Sequence, residues 1–335
     1  MIIDFHAHYL AREHLHMHTR TPEGRIVGAT VHRQGKDTIM EANGIPLGSS
    51  CKPEEFHNLA ARLELMERSS VDTEVLSPPP FMFFAQLPGT EAAQLTREQN
   101  EAIATVVQQY PTSFRGLGIV PLQDADIAAG EVAYLMDTLG LIGIEILTHV
   151  AGKDLDLPGL DPLWRALDER AAVVLIHPDN GLETERLKRY YLWNLLGNPV
   201  ETALALASLA FGGIFDRFPR IRFIAAHGGG VVPFIIGRWQ RGAAVRPELA
   251  HLKVSPLDLL RHIYVDSIVH GQQELQYLIE IMGADRIVLG SDIPFDMGTN
   301  EPVSLFGASL TDDVRQHILA NHQDLLTPQT LRESK

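Results

Sequence analysis

Five residues of this chain could do metal or acid–base chemistry together: His6, His8, His177, His227 and Asp292. His6-Ala7-His8 places two imidazoles at i and i+2. On an extended strand those positions point the same way, so one cation can take both. His177, in Ile176-His177-Pro178, and Asp292, in Gly290-Ser291-Asp292-Ile293-Pro294, would complete a set of three nitrogens and one oxygen. Such a set suits Zn²⁺, Mn²⁺ or another divalent ion and leaves a coordination position for water. His227, in Ala226-His227-Gly228-Gly229-Gly230, is then the spare imidazole, fitted by an ordinary pKa near neutrality to serve as general base and acid. Taken singly, each has a plainer explanation: a core histidine satisfied by local hydrogen bonds, a turn or cap aspartate, a flexible glycine turn. Their joint placement argues for a site.

That placement comes from the elements around them. Apolar runs of strand length recur at 2–5, 71–76, 116–122, 143–148, 172–176, 222–226, 263–269 and 287–289. They are apolar on successive residues, as in parallel strands buried on both faces. Helical periodicity separates them. Ile103, Val106, Val107 and Tyr110 mark one helix, with Thr96 and Gln99 spaced as a capping box; Asp161-Pro162 and Ser255-Pro256 read as helix starts, and 199–218 as one long helix. Eight alternations predict a (β/α)8 TIM barrel. An open doubly wound sheet is the competitor, but no glycine-rich phosphate loop follows the first strand. On the barrel, the five residues fall at the carboxyl ends of strands one, five, six and eight, where barrel active sites are built.

Residues 1–335 read as one domain, without linker or repeat. A long insertion at about 14–52 follows strand one and reads as a loop serving as lid or interface, and the residues after 325 read as a loose tail. The chain has 335 residues, 45% hydrophobic and 21% charged, enough apolar material for a large core. A net charge of −14 without a basic cluster argues against nucleic-acid binding. Cys51, the single cysteine, cannot form an internal disulfide, which fits a reducing, cytoplasmic setting. The first residues lack a signal-peptide pattern, and no apolar stretch reaches the ~18 residues of a membrane helix.

Of the 15 histidines, His149 and His270 follow strands and could face the cavity. His14, His16 and His18 lie in the insertion and read as solvated or lid-forming. His57, His251, His262, His317 and His322 read as surface or satisfied residues. Asp266, in strand seven, could hold a ligand histidine. Arg238, Arg241 and Arg246 form either an exposed cationic face or a carboxylate grip. Phe81-Met82-Phe83-Phe84 either walls a substrate or packs the core.

The stretches Ile3-Asp4-Phe5-His6-Ala7-His8, Ile176-His177-Pro178, Ala226-His227-Gly228-Gly229-Gly230 and Gly290-Ser291-Asp292-Ile293-Pro294-Phe295 resemble the metal-dependent amidohydrolase superfamily, in its aminocarboxymuconate-semialdehyde decarboxylase branch. Arg115-Gly116-Leu117-Gly118, Thr148-His149-Val150, Phe211-Gly212-Gly213-Ile214-Phe215 and Gly237-Arg238 extend the likeness from residue 2 to about 325. The resemblance implies one Zn²⁺ on His6, His8, His177 and Asp292, His227 as acid/base, and a homodimer in which Arg238 reaches the neighbouring active site. It implies non-oxidative decarboxylation of a small unsaturated or aromatic carboxylic acid; Phe81 and Phe84, from the aromatic loop, and Trp193 are the candidates to stand beside that substrate. The chain departs from the pattern at Gly48, where an arginine is expected, and around Trp193, where a tryptophan is shifted or absent. A metal-dependent hydrolase or hydratase acting on a ring-cleavage product is the alternative. A barrel that only binds is a further one, disfavoured by the intact five-residue set.

Overall fold

Strands that are apolar on consecutive residues must lie between two apolar layers, and the chain meets that demand by closing a sheet on itself. In the computed structural model, residues 1–335 are described except 35–36, 48–51, 180–181, 183–184, 308–309, 321 and 327–335. The readings made for Gly48, Cys51 and the end of the tail lie outside the described residues. Strand β1 (Ile3–His8) comes first. The insertion supplies β2 (His18–Arg20), β3 (Ile26–Gln34), β4 (Asp37–Ala42) and β5 (Ile45–Pro46). Then follow β6 (Thr73–Ser77), β7 (Phe114–Gly118), β8 (Gly143–Leu147), β9 (Val173–His177), β10 (Arg222–Ala225), β11 (Tyr264–Asp266) and β12 (Ile287–Val288).

Eight of these strands, β1 and β6 to β12, pair in parallel in chain order. Phe5 N–H donates to Leu289 O at 2.9 Å and His8 N–H to Ile293 O at 2.7 Å, which closes the ring. Helices such as Gly89–Gln109, Asn198–Phe211, Val232–Val245 and Gln272–Met282 run between the strands. The architecture is the expected (β/α)8 TIM barrel. Alternate strand residues divide between two cores. Phe5, Val75, Leu117, Leu175, Ile224 and Val288 fill the interior, while Leu76, Ile144, Ile146, Val174, Ile176, Ala225 and Val265 meet the helices.

One irregularity decides where the site forms. Asp4 pairs with Glu74 and Ala7 with Leu76, so Phe5 and His6 together oppose Val75 alone. This bulge shifts the parity of β1: Ile3 and Phe5 belong to the interior cluster before it, and Ala7 to the outer cluster after it. His6 and His8 therefore take the inward positions at the barrel's carboxyl end.

The insertion is not a structureless loop. Its strands form an antiparallel sheet in the order β2-β3-β4-β5. Val27, Ala29 and Met40 pack there with Phe56, Phe81 and Phe84 as a satellite core. Asn43-Gly44, both at positive φ (52° and 77°), make the two-residue hairpin turn between β4 and β5, a sequence signal passed over above. Other local expectations also change. Thr96 and Gln99 cap nothing: both are buried inside Gly89–Gln109, with the Gln99 amide donating to Met82 O at 3.1 Å. Asp161 gives no side-chain cap and instead pairs with Arg217, whereas the Ser255 hydroxyl does accept from Asp258 N–H at 3.2 Å. The helix expected over 199–218 breaks into Asn198–Phe211 and Ile214–Arg217, with Gly213 between them at φ 73°.

Leu325, the residue before the expected loose tail, is fully buried in the interior cluster with Phe5 and Leu175. Leu325→Ala should therefore cost about 2–5 kcal/mol of stability, as large-to-small core changes do. A lowered denaturation midpoint checks this; an unchanged midpoint would show that the segment does not pack there.

Candidate active site

The inward bulge of β1 brings His6 and His8 together with their rings 5.1 Å apart and nearly perpendicular. His177, the last residue of β9, lies 5.0 Å from His6 and 5.2 Å from His8, ring to ring. Asp292, beyond β12, presents Oδ1 at 3.2 Å from His8 Nε2 and 3.5 Å from His6 Nε2. His227, beyond β10, places Nε2 at 3.3 Å from Asp292 Oδ2. Ligand atoms of His6, His177, His227 and Asp292 all lie within 4.8 Å of one another, and His8 Nε2 joins them at 3.2 Å from His6 Nε2. The five residues predicted to act together are thus brought together.

Each ring's orientation has a cause. His6 Nδ1 faces Asp266 Oδ2 at 2.7 Å, which leaves Nε2 as the inward lone pair. His177 Nδ1–H donates to Pro178 O at 2.8 Å, and Nε2 again faces inward. His8 Nδ1 lies 3.3 Å from the Ser77 hydroxyl. Asp266 also accepts His227 N–H and Gly228 N–H, each at 2.9 Å. That grip needs the chain to turn sharply at His227-Gly228-Gly229-Gly230, where all four residues have positive φ. At Gly230 a Cβ would stand 2.2 Å from Pro199 O, so only glycine fits.

The electrostatics favour a bound cation. Burial and the neighbouring imidazoles hold His177 well below its ordinary pKa, so it is a neutral donor. Asp292 is held well below the usual carboxylate range: burial opposes its ionisation, but the nearby His6 and the hydrogen-bonded His227 outweigh it. For His227, burial disfavours the cation, yet the Asp292 hydrogen bond and the surrounding carboxylates raise its pKa overall. His177 Nε2 and Asp292 Oδ1 are buried without a hydrogen-bond partner among the described residues. Two facing Nε2 lone pairs at 3.2 Å beside an unpartnered carboxylate oxygen fit a divalent cation shared by the three histidines and Asp292.

Other expected residues lie farther out. Phe81 packs edge-on against Phe56 and Phe295, and Phe84 is fully buried in the satellite core. Phe295, not singled out from sequence, is the aromatic against the site, 5.1 Å from the His8 ring. Trp193 stacks edge-on with Tyr191 at 4.7 Å. Arg238 is exposed and has no ion pair among the described residues. His149 accepts Gly152 N–H at 3.0 Å within its own loop, and His270 is exposed at φ 61°. His14, expected to be solvated or lid-forming, is buried, and His322 is buried against Tyr264.

Residues that sequence reasoning passed over tie the site to the barrel. Asp4 Oδ1 accepts His6 N–H at 3.0 Å and Ser291 N–H at 3.1 Å, fastening β1 to the loop that carries Asp292. Burial, with Glu74 nearby, pushes Asp4 up to about 8. Buried Arg62 donates to His8 O at 2.7 Å and to Glu74 at 3.1 Å. Glu145, inward on β8, is fully buried near His8. An acid within the apolar Gly143-Ile144-Glu145-Ile146-Leu147 was its visible signal.

The profile of the amidohydrolase family matches residues 3–321. A 2-amino-3-carboxymuconate-6-semialdehyde decarboxylase from Dictyostelium discoideum is 34% identical over 307 residues, covering 90% of this chain and 84% of that protein. Among solved structures, the 5-carboxyvanillate decarboxylase of Sphingomonas paucimobilis superposes with a TM-score of 0.80 at 22% identity, over 97% of this chain and 98% of that one. A dihydroxybenzoic acid decarboxylase from a Polaromonas species, with bound manganese and the inhibitor 2-nitroresorcinol, gives 0.80 at 23% identity, over 97% and 96%.

Asp266→Asn keeps the shape of the group that orients His6 but removes its charge. It should weaken divalent-metal affinity about 10–100-fold, read by competition with a chelator; unaltered affinity would show that His6 needs no such partner.

Proposed function

The chain belongs to the amidohydrolase family, and from that premise we propose that it is a metal-dependent, non-oxidative decarboxylase, a carbon–carbon lyase acting on a small unsaturated or aromatic carboxylic acid. The observation that carries this reading is the convergence of His6, His8, His177 and Asp292 with His227 hydrogen-bonded to Asp292. The decarboxylase relatives support the choice of reaction. Residues 1–335 work as one catalytic unit with the sheet-forming insertion at about 14–52.

The ion held by the three imidazoles and Asp292 is Zn²⁺, in keeping with that donor set; Mn²⁺, present in the Polaromonas relative, is the other candidate. When bound, it supplies positive charge and Lewis acidity next to the substrate's oxygens. The protein's part is orientation and proton transfer. Decarboxylation breaks the bond between the carboxylate carbon and an unsaturated carbon; the electron pair stays on that carbon, CO₂ leaves, and a proton must take its place. His227 can hold that proton at Nε2, because Asp292 and Asp266 offset the burial that would otherwise keep it neutral. Asp266 fixes its backbone through two amides. Phe295, backed by Phe56 and Phe81, supplies an apolar wall beside His8.

The substrate is anionic while the chain carries −14, so attraction must be local, from the cation and from arginine. Arg238 is assigned that part across a homodimer interface. On its helix Phe234, one turn earlier on the same face, is 81% exposed, the kind of apolar side chain a second subunit would cover. No helix among the described residues is long and apolar enough to cross a membrane, and the single cysteine accords with a cytoplasmic setting.

His227→Ala should keep its metal and lose about 10²–10⁴-fold in turnover, whereas His177→Ala should lose the metal. Elemental analysis beside a CO₂-release assay separates them, and equal metal loss in both would refute the division of roles. Candidate acids that yield hydrated or hydrolysed products without CO₂ would make the enzyme a hydratase or hydrolase. Arg238→Ala should lower kcat/KM without changing metal content, and light scattering should give a dimer; a monomer with full activity would dismiss the shared site.

A further inference from the structure

Each ligand histidine has a second ring nitrogen that must be held for the first to aim correctly. Asp266 holds His6 at 2.7 Å and the Pro178 carbonyl holds His177 at 2.8 Å. His8 is held less closely: Ser77 Oγ stands 3.3 Å from Nδ1 and Glu145 Oε2 stands 3.8 Å from it. His8 Nε2 points the other way, to His6 Nε2 and Asp292 Oδ1, both at 3.2 Å. Glu145 thus lies on the opposite side of the His8 ring from Asp292.

A carboxylate in that place needs an explanation. Glu145 lies on β8 with no exposed surface, and neither oxygen has a hydrogen-bond partner among the described residues. Such a group costs stability unless something compensates it. Its neighbours on the strand, Ile144 and Ile146, pack outward, and an apolar residue at the inward position would fill the barrel at less cost.

We propose that Glu145 is a positioning residue for His8, holding its Nδ1–H directly or through the Ser77 hydroxyl so that Nε2 presents its lone pair to the divalent ion. A carboxylate behind a ligand imidazole fixes the tautomer and makes the ring a stronger donor. Once a cation lies beyond the ring, Glu145 also becomes the compensated charge it is not in isolation. Two of the three histidines would then be carboxylate-backed, His6 by Asp266 and His8 by Glu145. The inference rests on the metal site proposed above.

The test measures Zn²⁺ affinity by chelator competition and thermal melting of the metal-free protein, for wild type, Glu145→Gln, Ser77→Ala and the double variant. Glu145→Gln should bind Zn²⁺ about 10–100-fold more weakly, while its metal-free form melts at the wild-type temperature, because the amide keeps the size and shape of the carboxyl group. Ser77→Ala should lose less, and the double variant should lose no more than Glu145→Gln alone if both act through His8 Nδ1. Unaltered Zn²⁺ affinity in Glu145→Gln, or an affinity loss matched by a fall in metal-free melting temperature, overturns the assignment. If Glu145→Gln does not fold, Glu145→Asp, which draws the carboxyl back from His8 by one methylene, decides: unaltered affinity there overturns it. A wild-type protein that binds no divalent ion would sink the proposed function as well, whereas normal wild-type binding with an indifferent Glu145→Gln sinks this inference alone.

Discussion

The buried carboxylate of Asp266 holds the site together. At the end of β11 it takes His6 Nδ1 from β1 and the backbone N–H groups of His227 and Gly228 beyond β10, and it accepts Ile268 N–H as well. A fully buried charge is tolerable only when it is so surrounded. Burial alone would raise its pKa; the His6 hydrogen bond and the charges around it turn the balance, and the group is held below its ordinary value. One ionised side chain therefore sets the tautomer of a proposed ligand and the position of the proposed acid/base, which are 221 residues apart in sequence. The glycine run after His227 accompanies that grip: Gly228 and Gly230 have positive φ, and a Cβ there would stand 2.6 Å from Val269 and 2.2 Å from Pro199 O respectively.

Charge then governs what the cavity can accept. Asp292, Asp266 and Glu145 place three carboxylates around one cluster of imidazoles, with Asp292 the one that faces His6, His8 and His227 directly. A divalent cation offsets part of that charge, and a protonated His227 offsets more. An anionic substrate entering such a site needs both. The chain's overall charge of −14 makes long-range attraction of an anion weak, so attraction must be local.

Much of the barrel was legible because parallel strands covered on both faces need consecutive apolar residues, and few other structures do. The places where local rules misled are ones where tertiary packing outweighed them. Thr96 and Gln99 have capping-box spacing, yet the helix already starts at Gly89, and packing against Met82 buries both. The insertion's loop-like composition concealed a sheet, because its strands bury one face only, on Phe56, Phe81 and Phe84, which lie outside the insertion itself. Phe84, which could wall a substrate or pack the core, is fully buried within the satellite core.

The sequence by itself determined which side chains can do chemistry: the His-x-His pair at a strand end, the isolated His177 and His227 after apolar runs, and Asp292 before a proline. Strand periodicity also told which end of the barrel they share. It did not determine that β1 carries a bulge after Asp4, which turns His6 and His8 inward, nor that Phe295 lies against His8 or that Glu145 stands behind it. Those facts depend on register between strands far apart in the chain. Register is set by how neighbouring strands pack and hydrogen-bond, and a one-residue shift sends every side chain to the opposite face.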